Sequence, residues 1–517
     1  MKRLIISMIS ILIIIGVLIA KEEIRAKDYR LINVSEQEVL NYFKTNEEQD
    51  KETSGMISPK LNKTGEGAIS YGDKLYITSE FSITIIDTIS KERNKIEFDF
   101  FQPLELIVED ELLYVIGIYD ELKDIVVDEN NHFLYNKYES QVSIFDIETM
   151  TEIRYLRFNR GYYASSYIVG NTIFVVVHIN RIVNEERNAL IYPSFDDSKN
   201  GLITLNNSQI FLSPQSTPIN SLMMIVRLEL NENEAYPIGL IGVEGIEKIS
   251  GSHFLIASTV YENDLGHTVV HHIDFKRSIN YKGFVLLEGC LINFDSLEVI
   301  NNFLHVGVVE YKEDLVEQYI YNIALDDLLV VSKINISHLS DIALILFKNS
   351  SAYVSTYNDN YFHILHLFSN KESKSYNLDF VGEQIVFGQD SFDIVGRKVN
   401  SKHIGNAICF ASFNLITNKT TRKYIQNAPN VDFEGGYNPN ATIYHEDKVY
   451  ISYLSNGNQK IMAIKKGNQI LLEKIVSVKD YCRRILIINN LLYAIGFEKV
   501  YEYNLDSYQI KNTYLIS

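Results

Sequence analysis

The chain has 517 residues, 46% of them hydrophobic, with 34 Tyr, 26 Phe and only 8 Pro; this excludes a largely disordered chain and points to strands around a large core. A net charge of -18 with no basic stripe excludes a nucleic-acid partner, because phosphate backbones are held by clustered Lys and Arg. Cys290, Cys409 and Cys482 lack the spacing of a metal or redox motif and are expected to be small buried apolar residues.

The N-terminus "MKRLIISMISILIIIGVLIAKEE" places Lys2 and Arg3 before an apolar run from Leu4 to Ala20. This pattern is an export signal. Cleavage after Ala20 would put the large Leu18 where a small residue is wanted, and no lipobox cysteine follows, so residues 1–21 are expected to stay as a signal anchor with the N-terminus inside. A cleaved signal peptide, giving a secreted chain, is the alternative. The rest of the chain is expected outside the cytoplasm.

Residues 22–65 read as a juxtamembrane segment. Ser35 and Glu38 have capping-box spacing, and Val34 and Val39 can form a hydrophobic staple, so a short helix is expected from Glu36 to about Lys44. The polar run Thr45 to Ser54 reads as a solvated linker.

From residue 66 one unit recurs. "GDKLYIT" is a turn entering a strand, "SITIIDT" a second strand and "KIEFDF" a third. The turn-and-strand element returns as "EDELLYVIG", "VGNTIFVVV", "SGSHFLIAS", "INNFLHVGV", "KNSSAYVST", "GQDSFDIVG", "HEDKVYISY" and "INNLLYAIG". A spacing of about forty to sixty residues is the period of four-stranded propeller blades. Each copy is too small to bury its own faces, so the copies must stack. The expected fold is all-β: a single β-propeller over residues 66–517 with about eight blades, seven and nine being the bounds. Tandem sandwiches predict no such period. Insertions are expected at about 117–140 and 180–220, and such segments tend to be functional.

These elements resemble two related patterns. Tyr76, Ile77 and Thr78 followed by Ile85 to Thr88 resemble the YVTN-type propeller repeat. "INVSEQEVLNYFK", "SQVSIFDIETM", "ASSYIVGNTIFVVV" and the run from "LIYPSFDDSKNG" through "ISGSHFLIAS" resemble the secreted bacterial β-propeller-domain family. The likeness covers roughly residues 30–300; the acidic "EGVDEADI" stretch common in that family is replaced here by "GEGAIS" (Gly65 to Ser70). What the resemblance implies is a propeller fold and an extracytoplasmic location.

The candidate site residues lie outside the repeat pattern or on its strands. Tyr192, Asp196 and Asp197 in the second insertion are the candidate binding residues, because they sit in a polar, aromatic segment the scaffold does not need. His267 and His271 share one strand face and His363 and His366 lie on opposite faces; ordinary strand histidines are expected, and no metal site. "DENNHF" (Asp128 to Phe133) and "SFDDSKNG" offer oxygen ligands for calcium without the EF-hand spacing, and turn chemistry accounts for them. No cofactor is expected, with calcium the alternative.

No catalytic residue is assigned, because G-x-S-x-G, P-loop and H-E-x-x-H patterns are absent. The absence of Trp removes WD repeats, quinoprotein docking motifs and sialidase boxes. The expected function is a non-catalytic binding module, membrane-tethered or secreted, for an extracellular protein, wall polymer or other ligand. A propeller hydrolase or lyase with a dispersed site and an envelope assembly scaffold are the alternatives. The oligomeric state is left open.

Overall fold

The computed structural model describes residues 29–46 and 67–516, apart from 129–130, 171, 181–182, 185–188, 214–220, 230–233, 244, 263–264, 277–278, 313–314, 340, 358–359, 369–373, 389–390, 400–404, 415–418, 434–440 and 467–469. Among the described residues no helix is long and apolar enough to cross a membrane. The apolar run expected to anchor the chain, and most of the polar linker, lie outside the described residues.

The repeating unit is an antiparallel four-strand meander. In the first, Ala68–Tyr71, Lys74–Ser79, Ser82–Asp87 and Arg93–Glu97 pair in sequence order. The recurring "turn-then-strand" element is the passage from the first strand of a meander into its second. Several of these turns hold two residues in the left-handed region, such as Asn301 and Asn302 (φ 50° and 65°) and Asn489 and Asn490 (φ 50° and 60°). A two-residue hairpin turn matching the strand twist demands that conformation, and Asn tolerates it. The β-branched and aromatic residues that follow are buried on both faces: Leu75, Tyr76 and Ile77 are each at most 1% exposed.

Further meanders follow over residues 101–158, 161–241, 246–288, 297–335, 342–377, 381–432, 442–477 and 484–515. Their sheets stack face to face, each apolar cluster combining residues of neighbouring meanders. The first strands of successive meanders lie innermost, and that of the ninth meander contacts that of the first. The ends therefore meet and close a ring. Leu75, Ile77 and Ile86 of the first meander pack with Tyr493, Ile495 and Val500 of the ninth. Thr84 donates its hydroxyl to the carbonyl of Ile516 at 2.8 Å, and Lys91 pairs with the buried Glu502 at 3.0 Å. The closure uses packing and polar contacts, because the first and last sheets are each built from a single segment.

Both expected insertions have a defined place. The first lengthens a hairpin: Leu112–Asp128 and Asn131–Asp146 stay paired along their length. The leading strand is 17 residues against 10 in the fourth meander, so the hairpin projects roughly 24 Å farther. The second insertion is edge cover. Ser194–Asp197 and Gly201–Thr204 extend the second sheet beyond Glu152–Phe158, and Ile210–Leu212 lies parallel to Ala235–Ile241 on the rim of the third. Added strands of this kind satisfy outer edges that would otherwise offer unpaired backbone groups.

The N-terminal segment completes that rim. Ile32–Asn33 pairs antiparallel with Ile210–Leu212. The helix Glu36–Asn46 begins with the expected reciprocal cap: the Ser35 amide donates to Glu38 at 2.7 Å, and the Glu38 amide donates to the Ser35 hydroxyl at 3.4 Å. Val34 and Val39 fall in one buried cluster with Leu190 and Phe195. Residues 29–46 are therefore docked on the ring, because Tyr29, Leu31, Val34 and Val39 are apolar surface that water would otherwise face.

Candidate functional site

Strand alternation gives the ring two unlike faces. In each meander the innermost strand begins, and the second and third strands join, at one end; the turns from first to second and from third to fourth strand lie at the other. The first end is the hairpin face and the second the turn face. Among the described residues, the exposed aromatics Phe81, Phe100, Tyr162, Tyr261, Tyr311, Tyr357, Tyr361, Tyr481 and Phe497 lie toward the hairpin face, whereas Tyr71, Phe368 and Tyr444 lie toward the turn face. The long second-meander arm also projects from the hairpin face. Exposed aromatic side chains are thus concentrated on one side, with the arm beside them.

Toward the same end the innermost strands carry a polar network. Four of these strands have a register break at equivalent positions: between Pro103 and Glu105, Tyr163 and Ser165, Ile342 and Leu344, and Gly382 and Gln384. A bulge re-aims the side chains beside it. Glu105 accepts from Tyr163 and, at 3.2 Å, from Ser166 of the next meander. Ser165 donates to Glu247 of the meander after that, and Tyr167 donates to the Glu247 backbone carbonyl at 3.3 Å. Lys248 pairs with Glu298 at 2.7 Å. The bulges of the second and third meanders thus join carboxylates and hydroxyls of the second to fourth meanders in one chain of contacts, and the separate Lys248–Glu298 pair ties the fourth to the fifth.

Farther round, Glu383 is itself the extra residue of its bulge. Arg397 forks onto it at 2.6 to 3.0 Å and reaches Asp432 at 3.2 Å. Burial pushes the Glu383 carboxyl above the usual range, and Arg397 offsets part of that push. Where the ring closes, Arg483 donates to the carbonyl of Thr78 at 2.7 Å, and its guanidinium lies 5.9 Å from the ring of Phe497, which stacks on Tyr481.

Chemically the carboxylates of this network are acceptors already engaged. Burial and the neighbouring carboxylates push the Tyr163 and Tyr167 phenols far above their ordinary value, so both serve as hydrogen-bond donors at neutral pH. No group of three or more His, Cys, Asp or Glu suited to a metal ion occurs among the described residues.

Tyr192, Asp196 and Asp197 are placed in the rim packing. The Tyr192 hydroxyl lies 3.3 Å from Glu36 and 2.9 Å from Asn207, joining the insertion to the N-terminal helix. Asp197 is buried and receives the fork of Arg154 at 3.1 and 2.6 Å, with Lys199 N and Asn200 also donating to it, so its oxygens are committed. Asp196, the residue before it on the same short strand, is half-buried. Side chains of the "DENNHF" tip lie outside the described residues.

The histidines partner within their own sheets. His271 Nδ1 is 3.2 Å from the Tyr281 hydroxyl, His272 Nε2 is 2.9 Å from His253 Nδ1, and His363 Nδ1 is 2.8 Å from the Ser375 hydroxyl. His366 Nδ1 lies 3.3 Å from the Ser351 hydroxyl, and His267 faces Glu288 across its strand pair. Sequence reasoning missed the bulge network. The signal it could have used is the isolated acid in the otherwise apolar strand "PLELIV", since a buried carboxylate requires partners.

A family model described as "Beta propeller domain" matches residues 41–362. No curated protein matches the chain. Among solved structures, apo AztD from Citrobacter koseri is 9% identical with a TM-score of 0.37, covering 78% of this chain and 95% of that one. BamB from Moraxella catarrhalis is 9% identical with a TM-score of 0.34, covering 86% and 97%. The β-propeller domain of the Trilobed protease from Pyrococcus furiosus is 11% identical with a TM-score of 0.34, covering 69% and 95%.

Proposed function

The chain belongs to the beta-propeller domain family, and from that premise we propose that it is a non-catalytic binding propeller of nine blades, one per meander. It is held outside the cytoplasm by its N-terminal segment and engages an extracellular protein or wall polymer through its hairpin face. The observation that carries this reading is the inequality of the two faces: most of the described exposed aromatics and a projecting arm lie at one end, and few exposed aromatics at the other. Aromatic rings give contact area at low entropic cost, to a protein or to the apolar face of a sugar.

The engaged carboxylates favour binding over catalysis, because Glu105, Glu247 and Glu383 are spent on hydroxyl and guanidinium partners within the fold. A general acid or base would need a carboxyl open to substrate. The test is capture: the full chain, immobilised, is exposed to a membrane extract and separately to purified wall polymer. Reproducible retention of one component supports the reading, and hydrolysis or eliminative cleavage of the polymer would replace it with the enzyme.

A further inference from the structure

The eighth meander leaves a gap toward the hairpin face. Its innermost strand, Thr442–His445, is four residues long, against nine for Phe101–Glu109 in the second meander. It pairs with the second strand only from Lys448 to Ile451. Farther along that strand, Leu454 and Ser455 pair instead with Asp432 and Val431, which end the seventh meander. Ser452 and Tyr453 lie between, with no strand partner on their inner edge among the described residues.

A small cleft occupies this place. Asp432 of the seventh meander, Ser452, Tyr453 and Gln459 of the eighth, and Arg483 and Arg484 of the ninth line it. Gln459 is 6% exposed and donates to the Ser452 hydroxyl at 2.6 Å, but its side-chain oxygen has no hydrogen-bond partner among the described residues. The Tyr453 hydroxyl, also buried, has none either. Burial pushes that phenol up to about 12, so at neutral pH it keeps its proton and can donate. A buried polar group without a partner is unfavourable, so a group entering the cleft gains bonds that the fold does not supply.

An aromatic platform stands beside the cleft. Arg483, which lines it, also reaches within 5.9 Å of the Phe497 ring. Phe497 is 65% exposed and stacks on Tyr481, which is 39% exposed.

We propose that the cleft and the Tyr481–Phe497 pair together form a saccharide subsite on the hairpin face. A sugar ring offers an apolar face to the aromatic pair and, at its edge, hydroxyl or acetamido groups that donate and accept hydrogen bonds. Guanidinium and carboxylate both line the cleft, so it suits such an uncharged polar group rather than an ion. The cleft is small, so one group of the sugar enters and the ring rests outside, on the platform. The inference rests on the hairpin-face reading above and names its ligand as wall polymer rather than protein.

The test titrates the full chain calorimetrically with soluble oligomers of N-acetylglucosamine and of glucose. Saturable binding of at least one is expected. Gln459→Leu should weaken it at least about tenfold, as for a buried anchor of an interface, with an unchanged denaturation midpoint. Phe497→Trp keeps an aromatic platform and should keep the binding, with emission that changes on titration, since the chain has no other Trp. If Gln459→Leu lowers the midpoint, the exposed change Phe497→Ala should show the same tenfold loss of binding. Unchanged affinity in Gln459→Leu and Phe497→Ala would overturn the subsite. Binding of neither sugar would overturn the saccharide assignment, and a protein captured in its place through Tyr481 and Phe497 would leave the hairpin-face reading standing. Sugar binding abolished by Ile89→Ser on the turn face, and untouched by the cleft variants, would overturn both.

Discussion

Arg154, on the outer strand of the second meander, forks onto Asp197 with Nε–Oδ1 at 3.1 Å and Nη2–Oδ2 at 2.6 Å, and both side chains are almost fully buried. Between them in sequence the chain leaves the second sheet, forms the third meander's first two strands and returns. The pair therefore fastens the insertion to the blade it covers. Removing one member of a buried pair strands the other, at a cost of about 3–5 kcal/mol. Asp197→Ala should lower the denaturation midpoint substantially, and Arg154→Met with Asp197→Leu should recover much of the loss. A double variant no more stable than the single one would show that the pair does not act as a unit.

Acid should weaken the fold over a defined window. Burial lowers His271 to about 3 and His272 to about 4, and it lowers His305 as well. These groups are neutral in the folded chain and protonate near their ordinary value of about 6.5 when it unfolds. The unfolded state then binds more protons, so stability falls as pH drops below about 6.5 toward those lowered values, by up to about 1.4 kcal/mol per pH unit per histidine. Asp274 and Lys282 act oppositely on His272 and His253 adds repulsion, whereas His271 faces only Tyr281 and Phe284 among its ring and hydroxyl contacts. Melting temperature against pH for His271→Leu should be flatter than for the parent chain; parallel curves would contradict the assignment.

The N-terminal clamp should be part of the folded core. Leu31 is 4% exposed and packs between the third and fourth meanders, while Glu36 accepts from the Leu190 amide at 3.2 Å and from Tyr192. Leu31→Ala should cost about 2–5 kcal/mol. Hydrogen exchange should show faster exchange at Ile210–Leu212 in that variant, with the sixth meander unchanged. Uniform protection across both would show that the segment is not coupled to the rim.

The parts legible in the sequence were those governed by local chemistry. Asn301–Asn302 and Asn489–Asn490 announce hairpin turns because few residues accept that backbone, and the β-branched strands behind them announce burial. The helix at Glu36 was readable from Ser35 and Glu38 for the same reason. The innermost strands were not, because their bulges set Glu105 beside Tyr163 and Ser165 beside Glu247 across sheets that no short window joins. Nor could local pattern show that Tyr192 would meet Glu36, or Asp197 meet Arg154. Residues 180–220 looked like loop because their strands pair with distant partners.

The tether is tested by intact mass and fractionation of the native chain. The expected result is a full-length mass in the membrane fraction, since Leu18 sits poorly for cleavage after Ala20. A mass lacking residues up to about Ala20, found in the medium, would replace the anchored reading with a secreted one.

The most direct measurement of the central claim compares the two faces. Tyr481→Ser with Phe497→Ser alters the hairpin face, and Ile89→Ser alters the turn face at a residue 68% exposed. Ile89→Ser is a surface change expected to leave stability within about 0.5 kcal/mol, whereas the double variant also loses the Tyr481–Phe497 stack, so its denaturation midpoint is measured beside its binding. Binding of the component retained in the capture experiment should fall at least about tenfold for the hairpin-face variant, as for loss of an interface hot spot, and stay unchanged for Ile89→Ser. Equal binding by both variants, or loss confined to Ile89→Ser, would contradict the assignment of the hairpin face as the binding face.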